Sequence, residues 1–272
     1  MATIDAYAVL GNPIGHSKSP EIHTLFAKQT AQALVYTADL VALDGFQQYV
    51  KQFQADGGCG LNITVPFKQE AWAVVDQRND LAELAGAVNT IMFKNGQLLG
   101  FNTDGLGLVK DLIENCHIPL AEQRVLLLGA GGATRGVVLP LFQAGVKSMT
   151  IANRTAQKAE ALATLFSEYG DVNGVGLDAI CGSFDVVINA TAAGLNRDVP
   201  QIDPTFVKNA LCYDMMYGDK PTAFVEWANS HGATRAFDGL GMLVEQAAEA
   251  FLIWRGVRPK TDEVIAHCRT QL

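Results

Sequence analysis

The feature that most constrains this 272-residue chain is the run Arg124-Val-Leu-Leu-Leu followed directly by Gly129-Ala-Gly131-Gly132-Ala-Thr-Arg-Gly136. A continuous apolar run of that length reads as a strand buried on both faces, and glycines placed right after it, ahead of the helical stretch 137–144, turn the chain sharply into a helix N-terminus. Five more β-like runs follow, at 148–152, 172–177, 184–189, 211–215 and 234–237, and helical segments separate most of them. Six apolar strands alternating with helices predict a parallel sheet covered on both faces.

The first half carries β-like runs at 6–10, 35–41, 60–65 and 88–93, with helical spacing at Ile22, Leu25, Phe26 and at Phe46, Val50, Phe53. Asn95-Gly96, between TIMFK and QLLGF, predicts a two-residue hairpin turn, so this sheet is expected to be mixed. After Phe237 comes GLGMLVEQAAEAFLIWRG, a long helix with apolar Leu243, Ala247, Ala250 and Trp254, then a last helix near 261–270. With the second sheet already at six strands, these helices are expected to pack back on the first domain. The expected fold is therefore α/β. An N-terminal mixed-sheet domain (1–101 with 240–272) precedes a Rossmann-type doubly wound parallel sheet (102–239).

Composition removes several functional classes. Twenty basic against 28 acidic residues give a net charge of −8, which excludes the broad basic face that binding a nucleic-acid backbone requires. Cys59, Cys116, Cys181, Cys212 and Cys268 are odd in number and widely spaced, and they read as reduced core residues. The five histidines lack metal-ligand spacing, no metal is expected, and His16 reads as structural in its loop. The N-terminal MATIDAYAVL lacks a basic region ahead of a long apolar stretch, and no apolar run approaches the roughly 18 residues of a membrane span. The expectation is a cytoplasmic protein with no membrane partner.

Glycines between a buried strand and a helix suit a dinucleotide pyrophosphate. Gly129 permits the turn, Gly131 lets the backbone approach, and the stretch Gly129, Ala130, Gly131, Gly132, Ala133 leads to the N–H groups of the helix N-terminus. Thr134 stands where the third glycine of GxGxxG would be, so Gly132 and Ala133 are expected to supply the close helix–strand contact. About twenty residues on, where an NAD site usually carries an acid for the ribose hydroxyl, the chain has Asn153-Arg154-Thr155, with Lys158 one turn later. A guanidinium with such neighbours favours NADP. The bland alternatives stay open: Arg154 as a surface residue, and Thr155 as an N-cap of the helix 156–166, alone or in addition.

Two polar clusters interrupt the apolar first half, Gly11-Asn-Pro-Ile-Gly-His-Ser17-Lys-Ser19-Pro20 and Asn62-Ile-Thr64-Val-Pro-Phe-Lys68. Together with GAVNT at 86–90, NTDG at 102–105, GAGGATRG, NRT and GLGMLVEQAA, they make the chain resemble the shikimate dehydrogenases over essentially its whole length. The resemblance implies a two-domain enzyme that reduces 3-dehydroshikimate with NADPH, the substrate lying between the domains. It implies that Ser17, Ser19 and Thr64 contact substrate, the serines at its carboxylate, and that Tyr217 is a further substrate-side residue. Asn89 and Gln246 would bind hydroxyls, Asp104 would pair with Lys68, and Lys68 would pass the proton.

The residues also have readings of their own. Ser19 before Pro20 suits a helix N-cap. Lys68 is either a solvated surface charge or, through Val65, Pro66 and Phe67, a desolvated lysine whose pKa falls below about 10.4 toward acid–base work. Asp104 could be only an N-cap of the helix through Leu112. On the cofactor side, Thr191 ends the fourth strand of the second sheet, while Met215, Gly239 and Met242 are carried mainly by the resemblance. Cys59 and Cys212 read as core. Two alternatives remain: a quinate/shikimate dehydrogenase using NAD, for which 153–161 has no acid before Glu160, and a dinucleotide-sensing protein without chemistry. The partner is expected to be a small molecule, and the assembly a monomer or homodimer.

Overall fold

In the computed structural model, residues 4–191 and 198–272 are described. Alternate residues of the first strand, β1 (Asp5–Gly11), face opposite sides of its sheet, and both sides are apolar. Ala8 and Leu10 join Phe46, Val50, Leu61, Ile63 and Phe67, while Tyr7 and Val9 pack with Ile14, Tyr36 and Trp254. Such a strand belongs in the middle of a sheet. It pairs in parallel with β2 (Leu34–Leu40) on one edge and β3 (Gly60–Ile63) on the other. Helices α1 (Ser19–Gln29) and α2 (Phe46–Ala55) make the crossovers, burying Ile22, His23, Phe26 and Ala27 from one and Phe46 and Val50 from the other.

The chain continues through α3 (Lys68–Val74), β4 (Gln77–Arg78), α4 (Asp80–Ala85), β5 (Thr90–Lys94) and β6 (Gln97–Phe101). β5 and β6 form the expected hairpin. Asn95 and Gly96 both have positive φ, 54° and 79°, as a type I′ turn demands. β5 also runs antiparallel to β3, so the sheet, ordered β2-β1-β3-β5-β6-β4, is mixed as expected. The short α3, β4 and α4 carry too few residues to show a period in the sequence.

Helix α5 (Asp104–Lys110) widens into a π-helical turn at Asp111–Asn115 before the second sheet begins. There β7 (Arg124–Leu128), α6 (Gly132–Gln143), β8 (Ser148–Asn153), α7 (Ala156–Phe166), β9 (Asp171–Gly176), β10 (Val186–Asn189), β11 (Leu211–Asp214), α8 (Ala223–Ser230) and β12 (Arg235–Phe237) alternate as read from the sequence. All strands are parallel in the order β12-β11-β10-β7-β8-β9. The order reverses between β7 and β10, the switch point beyond whose strand ends such folds bind ligands.

Two helices close the chain, α9 (Leu240–Arg255) and α10 (Asp262–Thr270). Buried Glu245 clips α9 to the following segment, taking a 2.8 Å ion pair from Arg258 and a 2.6 Å hydrogen bond from the Thr261 hydroxyl. The molecule divides into two compact units, Met1–Gly107 with Val244–Cys268, and Leu108–Leu243 with Arg269–Leu272. Both divisions fall inside helices, α5 and α9, rather than at the expected 101/102 and 239/240. A continuous helix carries no turn residues where its packing changes, so composition does not mark the point. The cysteines also differ from expectation. Cys116, Cys212 and Cys268 are buried, but Cys59 is half-buried and Cys181 exposed, and all five are free. Among the described residues no helix is long and apolar enough to cross a membrane.

Candidate active site

Lys68 stands at the first residue of α3, and the chain around it is pinned from both sides. The Lys68 carbonyl accepts from the Val88 N–H at 2.9 Å, and the Thr64 N–H donates to the Leu10 carbonyl at 2.9 Å. Phe67 turns inward and stacks on Phe46 at 5.0 Å. The expected apolar enclosure of Lys68 does not form: Val65 is 68% exposed, Pro66 is exposed too, and Phe67 spends its ring on the core. Instead Lys68 Nζ meets a carboxylate, Asp104 Oδ2, at 2.6 Å, both groups partly open to solvent.

Asp104 opens α5, but its side chain is not used as a cap. Its other oxygen, Oδ1, accepts from Asn89 Nδ2 at 2.9 Å. Its main-chain N–H donates to Asn102 Oδ1 at 3.1 Å, and the Asn102 amide reaches the Ala87 carbonyl, which ties the NTDG loop to the GAVNT loop. Asn89 is almost wholly buried. Its second amide contact goes to Thr103 Oγ1 at 2.9 Å, and its oxygen accepts from the Thr103 N–H at 2.9 Å. Gln246, on α9, lies 3.4 Å from Thr103 Oγ1. That approach depends on Gly107, where a Cβ would come within 2.6 Å of the Gln246 nitrogen.

The serine loop departs from the capping reading. Lys18, not Ser19, occupies the N-cap position of α1, and no side chain caps the helix. Ser19 is the first helical residue and buried, and its N–H donates to Ser17 Oγ at 3.3 Å. Ser17 and Thr64 are half-buried and His16 is exposed. The structure thus brings Lys68, Asp104, Asn89 and Gln246 into one bonded cluster of the first unit, with Ser17, Ser19 and Thr64 on loops at the ends of β1 and β3.

In the second unit Gly129 follows β7 with φ +106°, and a Cβ there would lie 3.2 Å from Thr191 and 3.3 Å from the Ala190 backbone. This is the close approach at the switch point. Gly131 and Gly132 are exposed, and a Cβ on either would meet nothing within 4 Å, so the expected packing role of Gly132 and of exposed Ala133 is not realised. Thr134 takes the buried place instead. The open backbone ahead of α6, with no side chain capping it, fits a pyrophosphate. Arg154, Thr155 and Lys158 are exposed. Thr155 sits at the N-cap of α7 without a side-chain capping bond, and Asn153 Nδ2 donates to the Thr155 carbonyl at 2.9 Å.

Two buried struts organise the neighbouring strand ends. Asn189 Oδ1 accepts from both the Thr191 N–H (3.2 Å) and its hydroxyl (2.7 Å), and Asn189 Nδ2 donates to Asp214 at 3.0 Å. Asp214 also accepts from the Met216 N–H and the Thr222 hydroxyl, and burial raises its carboxyl above the ordinary value against these bonds. Met215 and half-buried Tyr217 flank Met216, whose carbonyl accepts from the Gly239 N–H at 2.9 Å. Met242 is buried in the first turn of α9. Sequence reasoning passed over Asp214. An acid inside the apolar run Leu211-Cys-Tyr-Asp-Met was the available signal, as was Thr103 inside NTDG.

A doubly wound sheet whose first turn is glycine-rich, on a chain that also holds a braced lysine–aspartate pair, defines the class of nicotinamide-dinucleotide oxidoreductases. Comparison with known proteins narrows this. The Shikimate dehydrogenase substrate binding domain matches residues 9–91, Shikimate / quinate 5-dehydrogenase matches 111–198, and the Shikimate 5'-dehydrogenase C-terminal domain matches 239–269. A shikimate dehydrogenase (NADP(+)) of Alkalilimnicola ehrlichii is 56% identical, covering 98% of this chain and 99% of its own. The crystal structure of an Ael1 enzyme from Pseudomonas putida superposes with a TM-score of 0.93 at 47% identity, over 97% of each chain. A shikimate 5-dehydrogenase from Thermus thermophilus, solved with NADP(H) and shikimate, does so at 0.88 and 32%, over 98% of this chain and 100% of that one. The chain belongs to the shikimate dehydrogenase family.

Proposed function

We propose that the protein reversibly reduces 3-dehydroshikimate to shikimate with NADPH, with Lys68 as the acid–base group and Asp104 as its partner. The observation that carries this reading is the 2.6 Å contact between Lys68 and a carboxylate whose other oxygen is already held by Asn89. Reducing a ketone requires a hydride on carbon and a proton on oxygen. NADPH, when bound, supplies the hydride. The Lys68 ammonium has three N–H donors, so it keeps one on Asp104 and gives another to the ketone oxygen. C=O becomes CH–OH, Lys68 is left as the amine, and water reprotonates it. In the oxidative direction the amine takes the hydroxyl proton.

The remaining residues bind and orient. Ser17 Oγ accepts from the Ser19 N–H, which leaves the Ser17 hydroxyl hydrogen for the substrate carboxylate, with the Ser19 and Thr64 hydroxyls beside it in this reading. Asn89 orients Asp104, and with Gln246 and Tyr217 it meets ring hydroxyls. Gly129, Ala130, Gly131, Gly132 and Ala133 hold the pyrophosphate. Arg154 with Asn153, Thr155 and Lys158 holds the 2′-phosphate. Thr191, Met215, Gly239 and Met242 lie toward the nicotinamide. The NADP(+) in the relatives' names supports the cofactor choice, and the five free thiols suit a reducing cytoplasm.

The test is an assay of shikimate and quinate against NADP and NAD, followed by nicotinamide absorbance. Turnover with shikimate and NADP, and far less with NAD, is expected. Failure to turn over either acid with either dinucleotide overturns the reading.

A further inference from the structure

Behind the Lys68–Asp104 pair runs a buried line of polar side chains. The Tyr36 hydroxyl donates to Asn62 Oδ1 at 2.7 Å. Asn62 Nδ2 donates to Thr90 Oγ1 at 3.0 Å and to the Asn89 carbonyl at 3.2 Å. The Thr90 hydroxyl donates to Asn89 Oδ1 at 3.0 Å, and Asn89 Nδ2 donates to Asp104 Oδ1. Tyr36, Asn62, Thr90 and Asn89 are all buried, Thr90 completely. Burying this many polar groups costs free energy unless every one is satisfied, so the line demands a reason.

The donors along it all point one way, and two main-chain groups enforce that direction. The Asn89 carbonyl can only accept, which turns the Asn62 amide so that its nitrogen faces β5. The Thr103 N–H can only donate, which turns the Asn89 amide so that its oxygen faces Thr103 and its nitrogen faces Asp104. Thr90 lies between the two amides. Because it accepts from Asn62, its own hydrogen is free to go to Asn89 Oδ1, and burial keeps the Tyr36 hydroxyl protonated at the head of the line. Each bond polarises the next, and the last N–H falls on the carboxylate oxygen that Lys68 does not use.

We infer that Asn62 and Thr90 are positioning residues for the proton-transfer pair: they act through Asn89 to hold Asp104 at the setting that presents Lys68. The inference rests on reading Lys68 and Asp104 as that pair. It assigns Asn62, inside NITVPFK, and Thr90, inside GAVNT, to orientation rather than to substrate contact.

The experiment measures kcat and both KM values for the wild type, Lys68→Ala, Thr90→Val, Thr90→Ser and Tyr36→Phe, well below the unfolding temperature, with circular dichroism confirming each fold. Thr90→Val keeps the shape and loses the hydroxyl. Its kcat is expected to fall about tenfold with KM for NADP within about twofold of wild type, and Thr90→Ser is expected to restore kcat. Tyr36→Phe, which removes only the outermost donor, is expected to lose about threefold, and it decides the matter if Thr90→Val does not fold. Wild-type kcat in Thr90→Val and Tyr36→Phe, while Lys68→Ala has collapsed, overturns this inference alone. An inactive wild type, or an active Lys68→Ala, overturns the underlying reading and the inference with it.

Discussion

His23 offers a quantitative test of the first unit's core. Its ring is 1% exposed and stacks on Tyr36 at 4.2 Å and 6°, with Trp254, Phe26 and Phe251 around it, and neither ring nitrogen has a hydrogen-bond partner among the described residues. Burial among aromatic rings pushes its pKa down from 6.5 to about 3, with Asn62 opposing weakly. A histidine with a depressed folded pKa is neutral in the fold but takes up a proton on unfolding. Its share of stability is therefore complete above pH 6.5 and drains away as pH falls toward 3. From pH 7 to pH 5 the loss follows one and a half pH units at about 1.4 kcal/mol each, or about 2 kcal/mol. That is a substantial share of the roughly 5 to 15 kcal/mol that usually holds a domain together. His23→Leu removes the titration without breaking a hydrogen bond. Urea unfolding of both proteins at pH 7 and pH 5 is expected to show the wild type losing about 2 kcal/mol more than the variant over that interval. Equal losses in the two proteins would refute the reasoning, because they would mean that the ring is protonated in the fold or solvated.

Lys68→Ala is expected to lower kcat by about 10² to 10⁴ while changing the KM for shikimate far less, as steady-state kinetics will show; equal losses in both would mark the lysine as a binding group. Arg154→Ala is expected to raise the KM for NADP about tenfold or more and to leave NAD nearly unchanged, and a matching loss for both dinucleotides would remove the 2′-phosphate role. Asp214 carries the opposite sign to His23. Burial raises its carboxyl above 3.8, so it favours the fold in acid and that contribution is lost as pH rises through the folded value. Asp214→Asn is therefore expected to flatten the pH dependence of the denaturation midpoint on the acid side above pH 3.8, and an unchanged slope would contradict it.

Periodicity carried most of the fold. The strands of the second sheet and the Asn95-Gly96 hairpin could be read because each signal is local: a run of apolar residues, or a dipeptide that tolerates positive φ. The unit boundaries could not, because α5 and α9 pass through them without a break. Ser19 misled for a related reason. A serine before a proline resembles a cap, but Lys18 took that position and left the serine hydroxyls uncommitted to the helix.

The sequence alone placed the chain in its family and named Lys68, Asp104 and Arg154, because those residues occur in short motifs whose order along the chain carries the information. It also fixed the parallel second sheet, since a strand buried on both faces must be apolar throughout. Only the tertiary structure decided how the lysine is held. The sequence suggested desolvation by Val65, Pro66 and Phe67, whereas the fold exposes Val65 and sets Asp104 against the ammonium at 2.6 Å. Residues 36, 62, 68, 90 and 104 come together because β2, β1, β3 and β5 lie side by side and α5 begins beside their ends in the hydrogen-bonded loops. A hydrogen bond depends on separations of about 3 Å between groups far apart in the chain, and no local pattern of residues encodes such a distance.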